Sequence, residues 1–291
     1  MAEASLALRE PYALATTLFS GQAFRWRAAG DAFRGWVAGE PVVLRAAGDT
    51  VLVEAVSAGT AEEGAAAYLR VRDPMRAIYR SFGRDPPVAA AVRRWRGLHL
   101  LAQDPWETTA SFIASSASNI PRISRTVEAL CGRFGKRSPG DGRAGRAFPT
   151  PSAIARAPTA ALLACGLGYR APYLRATARA VHRGDLDLEG LRALPTDAAR
   201  EALVETLDGV GPKVADCILL FSLGKDDAFP VDRWVARHVA ALYQSGEEMA
   251  PARVASWGRD RFGRWAGYAQ QYLFQDARGA GVRTRPRSRS P

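Results

Sequence analysis

One lysine in this chain is placed to do chemistry. Three lysines stand against thirty-seven arginines in 291 residues, and Lys213 closes the run Leu207-Asp-Gly-Val-Gly-Pro-Lys213. Arginine supplies charge but stays protonated. A lysine amine that gives up its proton attacks electrophilic carbon. Nineteen residues later Asp232 closes Phe229-Pro-Val-Asp232. A carboxylate beside an amine helps remove its proton, or stabilises positive charge developing on a sugar ring. Together the two suit attack on C1′ of a deoxyribose, with loss of the base and a Schiff base left behind.

Such a pair needs elements that hold it. Gly209 and Gly211 permit a tight turn, and Pro212 fits the first position of a helix, where its missing N–H costs nothing. The pattern predicts a helix from Pro212 to about Leu223, with Lys213 in its first turn. Exposed N–H groups at such a turn and helix start hold a phosphate oxygen without reading sequence. Pro230 favours an extended approach to Asp232, which is also suited to cap the helix after it.

The wider pattern is α+β. Phe33–Ala38, Pro41–Arg45 and Val51–Val56 are β-rich runs punctuated by Gly-Asp or Gly-Glu pairs, which predicts an antiparallel meander. Helices are expected at Ala61–Leu69 and Pro74–Phe82, with a break at Arg84-Asp-Pro-Pro87. From about Gly97 the strand signal fades. Helices are then expected at 106–118, 120–134, 159–165, 172–183, 197–207, 212–223, 231–243, 251–261 and 264–276, with an exposed loop at 135–151. These expectations divide the chain into an N-terminal antiparallel sheet domain with helices at 1–98, an all-helical domain at 99–277 and a basic, disordered tail at 278–291.

Composition narrows the partners. The net charge is +11 and 47% of residues are hydrophobic, seven of them Trp. The charge points to a polyanion, most simply nucleic acid. Cys131, Cys165 and Cys217 form no CxxC, so neither a structural zinc site nor a four-cysteine cluster is expected, and the thiols fit a reducing cytoplasm. No signal peptide and no membrane-length apolar run is read, and no catalytic metal or redox cofactor is expected. The Arg/Ala bias and the lack of a targeting segment suggest a prokaryotic origin, and a cytoplasmic, nucleoid-associated monomer is expected.

Several runs, in order and spacing, carry a resemblance: Gly21-Gln-Ala-Phe-Arg-Trp26, Gln103-Asp-Pro-Trp-Glu107, Ser115-Ser-Ala-Ser-Asn-Ile-Pro-Arg-Ile123, Gly166-Leu-Gly-Tyr-Arg170, Gly209-Val-Gly-Pro-Lys213, Pro230-Val-Asp232 and Trp265-Ala-Gly-Tyr-Ala-Gln270. From about Gly21 to Phe274 the chain resembles the helix-hairpin-helix glycosylases, and within them the 8-oxoguanine DNA glycosylase/AP lyases. The resemblance implies excision of 8-oxoguanine, and of formamidopyrimidine, from damaged double-stranded DNA.

It also implies roles. Lys213 matches the Schiff-base nucleophile and Asp232 the catalytic aspartate. The Gly21 carbonyl matches the acceptor that distinguishes the oxidised base, whose N7 carries a proton. Gln270 matches the reader of the Watson–Crick edge, and Phe274 and Cys217 the walls around the flipped ring. Tyr169 matches a wedge beside the lesion, and Arg122 and Arg170 match arginines that hold the orphaned cytosine. Gly209, Gly211, Asn119 and Trp234 fall at DNA-binding positions, and the hairpin carbonyls match a site for a monovalent cation. The chain departs from the family at Ala117, where the first of a run of asparagines touches the opposite cytosine, at Asp208 in place of Pro, and at Trp234 in place of His. Two rivals remain at this stage: an alkylated-base glycosylase of the same superfamily, which typically lacks the lysine, and a helix-hairpin-helix DNA-binding protein without catalysis.

Overall fold

Alternating apolar residues before position 56 build one antiparallel sheet. The computed structural model describes residues 1–138, 145–244, 246–247 and 249–283. The strands are β1 (Ala2–Ala7), β2 (Arg27–Ala29), β3 (Ala32–Val37), β4 (Glu40–Ala47) and β5 (Thr50–Ala55), in the order β1-β5-β4-β3-β2. The three expected strands form the middle of the sheet. Its two edges were not expected: β2 is only three residues long, and β1 pairs with β5 from Ala2 against Ala55 to Ala7 against Thr50. Val37, Val42, Leu44, Val51 and Val53 pack beneath the sheet against Leu14, Leu18, Trp26 and Tyr68. Trp26 Nε1 donates to the Tyr68 hydroxyl at 2.8 Å, so the buried indole is not left unpaired.

Helices α1 (Leu14–Phe19) and α2 (Ala65–Tyr68) belong to this layer, the second preceded by a π turn at Thr60–Gly64. They are followed by α3 (Met75–Phe82) and α4 (Pro86–Arg94). The expected break at Arg84–Pro87 is instead a helix start. Asp85 caps it by accepting from Val88 N at 3.1 Å, and Pro86 takes the first helical position.

The remainder is helical: α5 (Pro105–Ser115), α6 (Ile120–Phe134), α7 (Pro151–Arg156), α8 (Thr159–Ala164), α9 (Ala171–Arg183), α10 (Thr196–Thr206), α11 (Pro212–Ser222), α12 (Arg233–Tyr243), α13 (Pro251–Phe262) and α14 (Ala266–Arg283). The same device starts α5, α6 and α7, where Asp104, Asn119 and Thr150 cap and a proline follows. Helices α5 and α11 are buried on nearly every face and pack together, with Phe112 stacked on Phe221 at 5.6 Å. They form the axis of the helical layer. Helix α14 runs through Arg283, so the first part of the expected disordered tail is helical; residues 284–291 lie outside the described residues, as does 139–144 of the expected loop.

The two layers are tied by polar contacts as well as by packing. Arg70 makes a bidentate pair with Asp226 at 2.7 Å on both arms, and Gln103 N donates to Phe221 O at 2.8 Å. The three cysteines are free and buried. Among the described residues no helix is long and apolar enough to cross a membrane.

Candidate active site

The lysine is delivered by the turn between α10 and α11. Leu207 and Val210 are buried and anchor the turn, while Asp208, Gly209 and Gly211 are exposed. Gly209 has φ of +80°, and a Cβ there would meet Tyr173 Cβ at 2.7 Å. Both the conformation and the space demand glycine. Thr177 Oγ1 holds the turn from α9 by donating to Asp208 O at 2.8 Å. Gly211 caps α11 in extended conformation, and a Cβ there would meet nothing within 4 Å. The helix start is therefore open to a ligand.

Lys213, in the first turn of α11, is half-buried, with Nζ 5.1 Å from the centre of the Phe112 ring. One turn further along the same face is Cys217, 3% exposed. Burial pushes its thiol up to about 11, the charge of Lys213 and a hydrogen bond from it pull the other way, and the charge of Asp232 pushes it further up. Lys213 and Asp232 are thus each within electrostatic reach of Cys217.

Asp232 caps α12, as its sequence context suggests. Oδ1 accepts from Trp234 N and Val235 N, both at 2.9 Å. Oδ2 accepts no hydrogen bond among the described residues. One oxygen fixes the carboxylate and the other is left to act.

A second group forms between the two ends of the chain. Gly21 has φ of +89°; a Cβ on it would meet Ile120 Cδ1 at 2.9 Å and Phe274 Cε1 at 3.2 Å. Gln270 and Phe274 lie one turn apart on α14. Gln270 is 4% exposed, and its Oε1 is buried without a hydrogen-bond partner. A buried amide oxygen left unpaired costs about 1–3 kcal/mol unless something else bonds it. The Gly21 carbonyl likewise accepts nothing among the described residues, whereas those of Phe19, Ser20 and Gln22 each accept a side-chain donor.

The remaining expected DNA contacts sort by exposure. Tyr169 is 60% and Trp234 57% exposed; Asn119 and Arg122 are exposed, with Asn119 Oδ1 capping α6 through Arg122 N at 3.0 Å. Ala117 is exposed at φ of +50°. Arg170, matched by the resemblance to an arginine that holds the orphaned cytosine, is itself bonded inward. It is 3% exposed, and its guanidinium donates to Leu167 O at 2.7 Å, Ser116 O at 3.0 Å, Gly166 O at 3.3 Å and Ala114 O. These carbonyls end α5 and line the turn before α9, and the five N–H donors of arginine satisfy several at once. In this conformation Arg170 fixes the turn that carries Ala117.

Sequence reasoning missed Tyr173 and Phe112, which support Gly209 and Lys213. Tyr173 lies one helical turn beyond Tyr169, a spacing that could have marked it. Phe112 lies on a helix buried on nearly every face and gave no such signal.

These geometries can be set beside known proteins. A family model described as 8-oxoguanine DNA glycosylase, N-terminal domain, matches residues 6–109, and one described as HhH-GPD superfamily base excision DNA repair protein matches residues 110–257. The chain belongs to the HhH-GPD superfamily of base excision DNA repair proteins. Within that superfamily it is 34% identical over 227 residues to a probable N-glycosylase/DNA lyase of Methanothermobacter thermautotrophicus, covering 71% of this chain and 72% of that one. It matches the structure of MBOgg1 in complex with a low-affinity DNA ligand with a TM-score of 0.91 and 32% identity, covering 96% of each chain. A Clostridium acetobutylicum 8-oxoguanine glycosylase/lyase, solved with double-stranded DNA containing cytosine opposite 8-oxoguanine, matches with a TM-score of 0.88 and 32% identity over 94% of this chain and 93% of that one. A 3-methyladenine DNA glycosylase of Archaeoglobus fulgidus shares the fold, with a TM-score of 0.80 over 96% of this chain and 99% of that one, at 23% identity.

Proposed function

We infer that this HhH-GPD protein is a bifunctional DNA glycosylase/AP lyase that excises 8-oxoguanine from duplex DNA. The observation that carries the reading is the placement of a half-buried lysine amine and a capped carboxylate with one spare oxygen on consecutive helices beside an exposed hairpin. The alkylated-base rival is weakened by the lower identity of the 3-methyladenine enzyme and by the lysine itself.

The chemistry follows from these groups. The target C1′ is reachable only when the nucleotide leaves the stack. The Lys213 amine attacks C1′, the bond from C1′ to the base nitrogen breaks, and Asp232 Oδ2 stabilises the positive charge that develops on the sugar. The attached amine loses a proton and the ring opens to a Schiff base. Removal of a C2′ proton then expels the 3′ phosphate by β-elimination, cutting the strand.

Recognition uses the second group. The Gly21 carbonyl accepts the N7 proton that 8-oxoguanine carries and guanine lacks. The unpaired Gln270 amide reads the Watson–Crick edge, and Phe274 and Cys217 wall the ring. The formamidopyrimidine derived from guanine is taken in the same way. Gly209 and Gly211 offer backbone N–H groups to a phosphate, and Tyr169, Asn119, Arg122 and Trp234 complete the DNA face, with Arg170 holding the turn behind it. Ala117 offers no hydrogen bond to an orphaned base, which loosens the preference for cytosine.

The net charge of +11 suits this partner. The hairpin offers neutral backbone carbonyls, and among the described residues no group of three or more His, Cys, Asp or Glu is placed to hold a metal. Neutral oxygens suit a monovalent cation bound for structure, and the proposed steps draw on the Lys213 amine and the Asp232 carboxylate. The protein acts as a monomer on cytoplasmic, nucleoid DNA.

Borohydride trapping on a duplex with one 8-oxoguanine, paired in turn with each of the four bases, tests the reading. A covalent adduct is expected, and opposite bases other than cytosine as well. Base release without an adduct would mean a glycosylase without the lysine step. Neither adduct nor release would leave a non-catalytic DNA-binding protein.

A further inference from the structure

Gly21 lies in a segment whose neighbouring carbonyls are held by side chains from far along the chain. Gln271, 2% exposed on α14, donates from Nε2 to Ser20 O at 3.2 Å. Arg278, two turns further on the same helix, donates from Nη1 to Phe19 O at 3.2 Å. Its guanidinium covers the face of Phe274, 5.6 Å from the ring centre, and Nη1 would be 3.6 Å from a Cβ on Gly21. On the other side Gln22, fully buried, donates to Ser20 Oγ at 3.0 Å and His99 O at 2.9 Å, accepts from Leu101 N at 2.8 Å, and has its own carbonyl bonded by Gln103 Nε2 at 2.7 Å.

The result is selective. Along Phe19 to Gln22, only Gly21 presents a carbonyl that accepts nothing among the described residues. Helix α14 carries a stripe of Gln270, Phe274 and Arg278 at four-residue intervals, with Gln271 beside it. Two of these side chains line the base pocket and two hold the segment opposite.

We propose that Gln271 and Arg278 are positioning residues that clasp the Phe19–Gly21 segment to α14, so that the lesion-reading carbonyl of Gly21 and the base-reading amide of Gln270 move as one body. The proposal rests on the 8-oxoguanine reading above. Recognition of one proton on N7 depends on a single carbonyl being held in place. A misplacement of about 1 Å in such a site is enough to cost up to about a hundredfold in rate. The clasp acts on no reacting atom. Neither donor is needed once the base is gone, because attack on an abasic sugar uses Lys213 and Asp232 alone.

The test separates the two steps. Arg278→Leu, Gln271→Leu and the double variant are assayed under single-turnover conditions on an 8-oxoguanine duplex and on a duplex carrying a preformed abasic site. Base release is expected to fall about tenfold in each single variant and further in the double. Cleavage at the abasic site stays within about twofold of wild type. Arg278→Lys, which retains a donor, recovers part of the loss. Abasic-site cleavage also reports folding, and half-exposed Arg278 is the safer position should the buried Gln271 variant misfold. Unchanged base release in the double variant, or an equal fall on both substrates, overturns the clasp. Wild-type protein that releases no 8-oxoguanine removes the parent reading instead.

Discussion

The hairpin with Lys213 and Asp232 and the pocket around Gly21 and Gln270 are built in opposite ways. The first is assembled from neighbours: two consecutive helices, one turn, one cap. The second joins residue 21 to residues 270–278 across almost the whole chain. The nucleophile's surroundings are set by local backbone geometry, with α5 and α9 as supports. The pocket has no local logic, and its geometry depends on how the sheet layer is docked on the helical one. Chemistry and recognition are therefore separable by mutation.

Lys213→Gln gives the largest effect. Schiff-base trapping should vanish on lesion and abasic duplexes alike, and base release should fall at least about a thousandfold, while damaged-DNA binding persists. Trapping that survives would move the nucleophile elsewhere. Asp232→Asn should slow both steps by about a hundredfold and leave thermal stability within about 0.5 kcal/mol, because Asn caps a helix as well as Asp does. A large drop in melting temperature would show that the cap, not the free oxygen, is the residue's main task.

Two pocket variants sharpen the contrast. Gly21→Ala places a Cβ against Ile120 at 2.9 Å on a backbone at φ of +89°. Base release should fall about tenfold or more and stability by about 1–2 kcal/mol, while abasic-site cleavage by the folded fraction is kept. Gln270→Leu removes an unpaired buried amide oxygen. Urea unfolding should show stability unchanged or raised by about 1 kcal/mol, while base release falls about tenfold. Equal loss of abasic-site cleavage in either variant would break the comparison between the two regions. The smallest effect concerns Cys217. With its thiol pushed up to about 11 and 3% exposed, it stays protonated at neutral pH, and iodoacetamide should label it slowly until the pH nears that value. Fast labelling at pH 7.5 by mass spectrometry would place the thiol in a more open setting.

The same division explains what could be read from the sequence. The start of α11 was legible because Gly209, Gly211 and Pro212 each have a backbone reason to be there. The span of α6 was legible because Asn119 and Pro121 mark its start. Strand β1 was not, because it is held by pairing with β5 more than forty residues away. The length of α14 was not either, since Gly279 and Gly281 lie within it, against their helix propensity. Gly279 leaves room for the Trp95 ring, which a Cβ would meet at 2.7 Å. At the site, residue type pointed to Lys213, Asp232 and Gln270. The inward turn of Arg170 had no local signature, because which carbonyls lack partners is known only once α5 and the 166–170 turn are folded together. Gln271 and Arg278 were hidden for the same reason.

The placement of α14 has a consequence for synthesis. A ribosome that has released the chain through α12 has already delivered Lys213 and Asp232. The segment that completes the reading pocket, and that packs on α12 and α4, is still in the exit tunnel. The amine thus exists before anything can tell a damaged base from a sound one. Helix α14 also packs on α12, whose first turn Asp232 caps, so its arrival braces the carboxylate as it completes the reader. Discrimination and reactivity mature together once α14 has emerged.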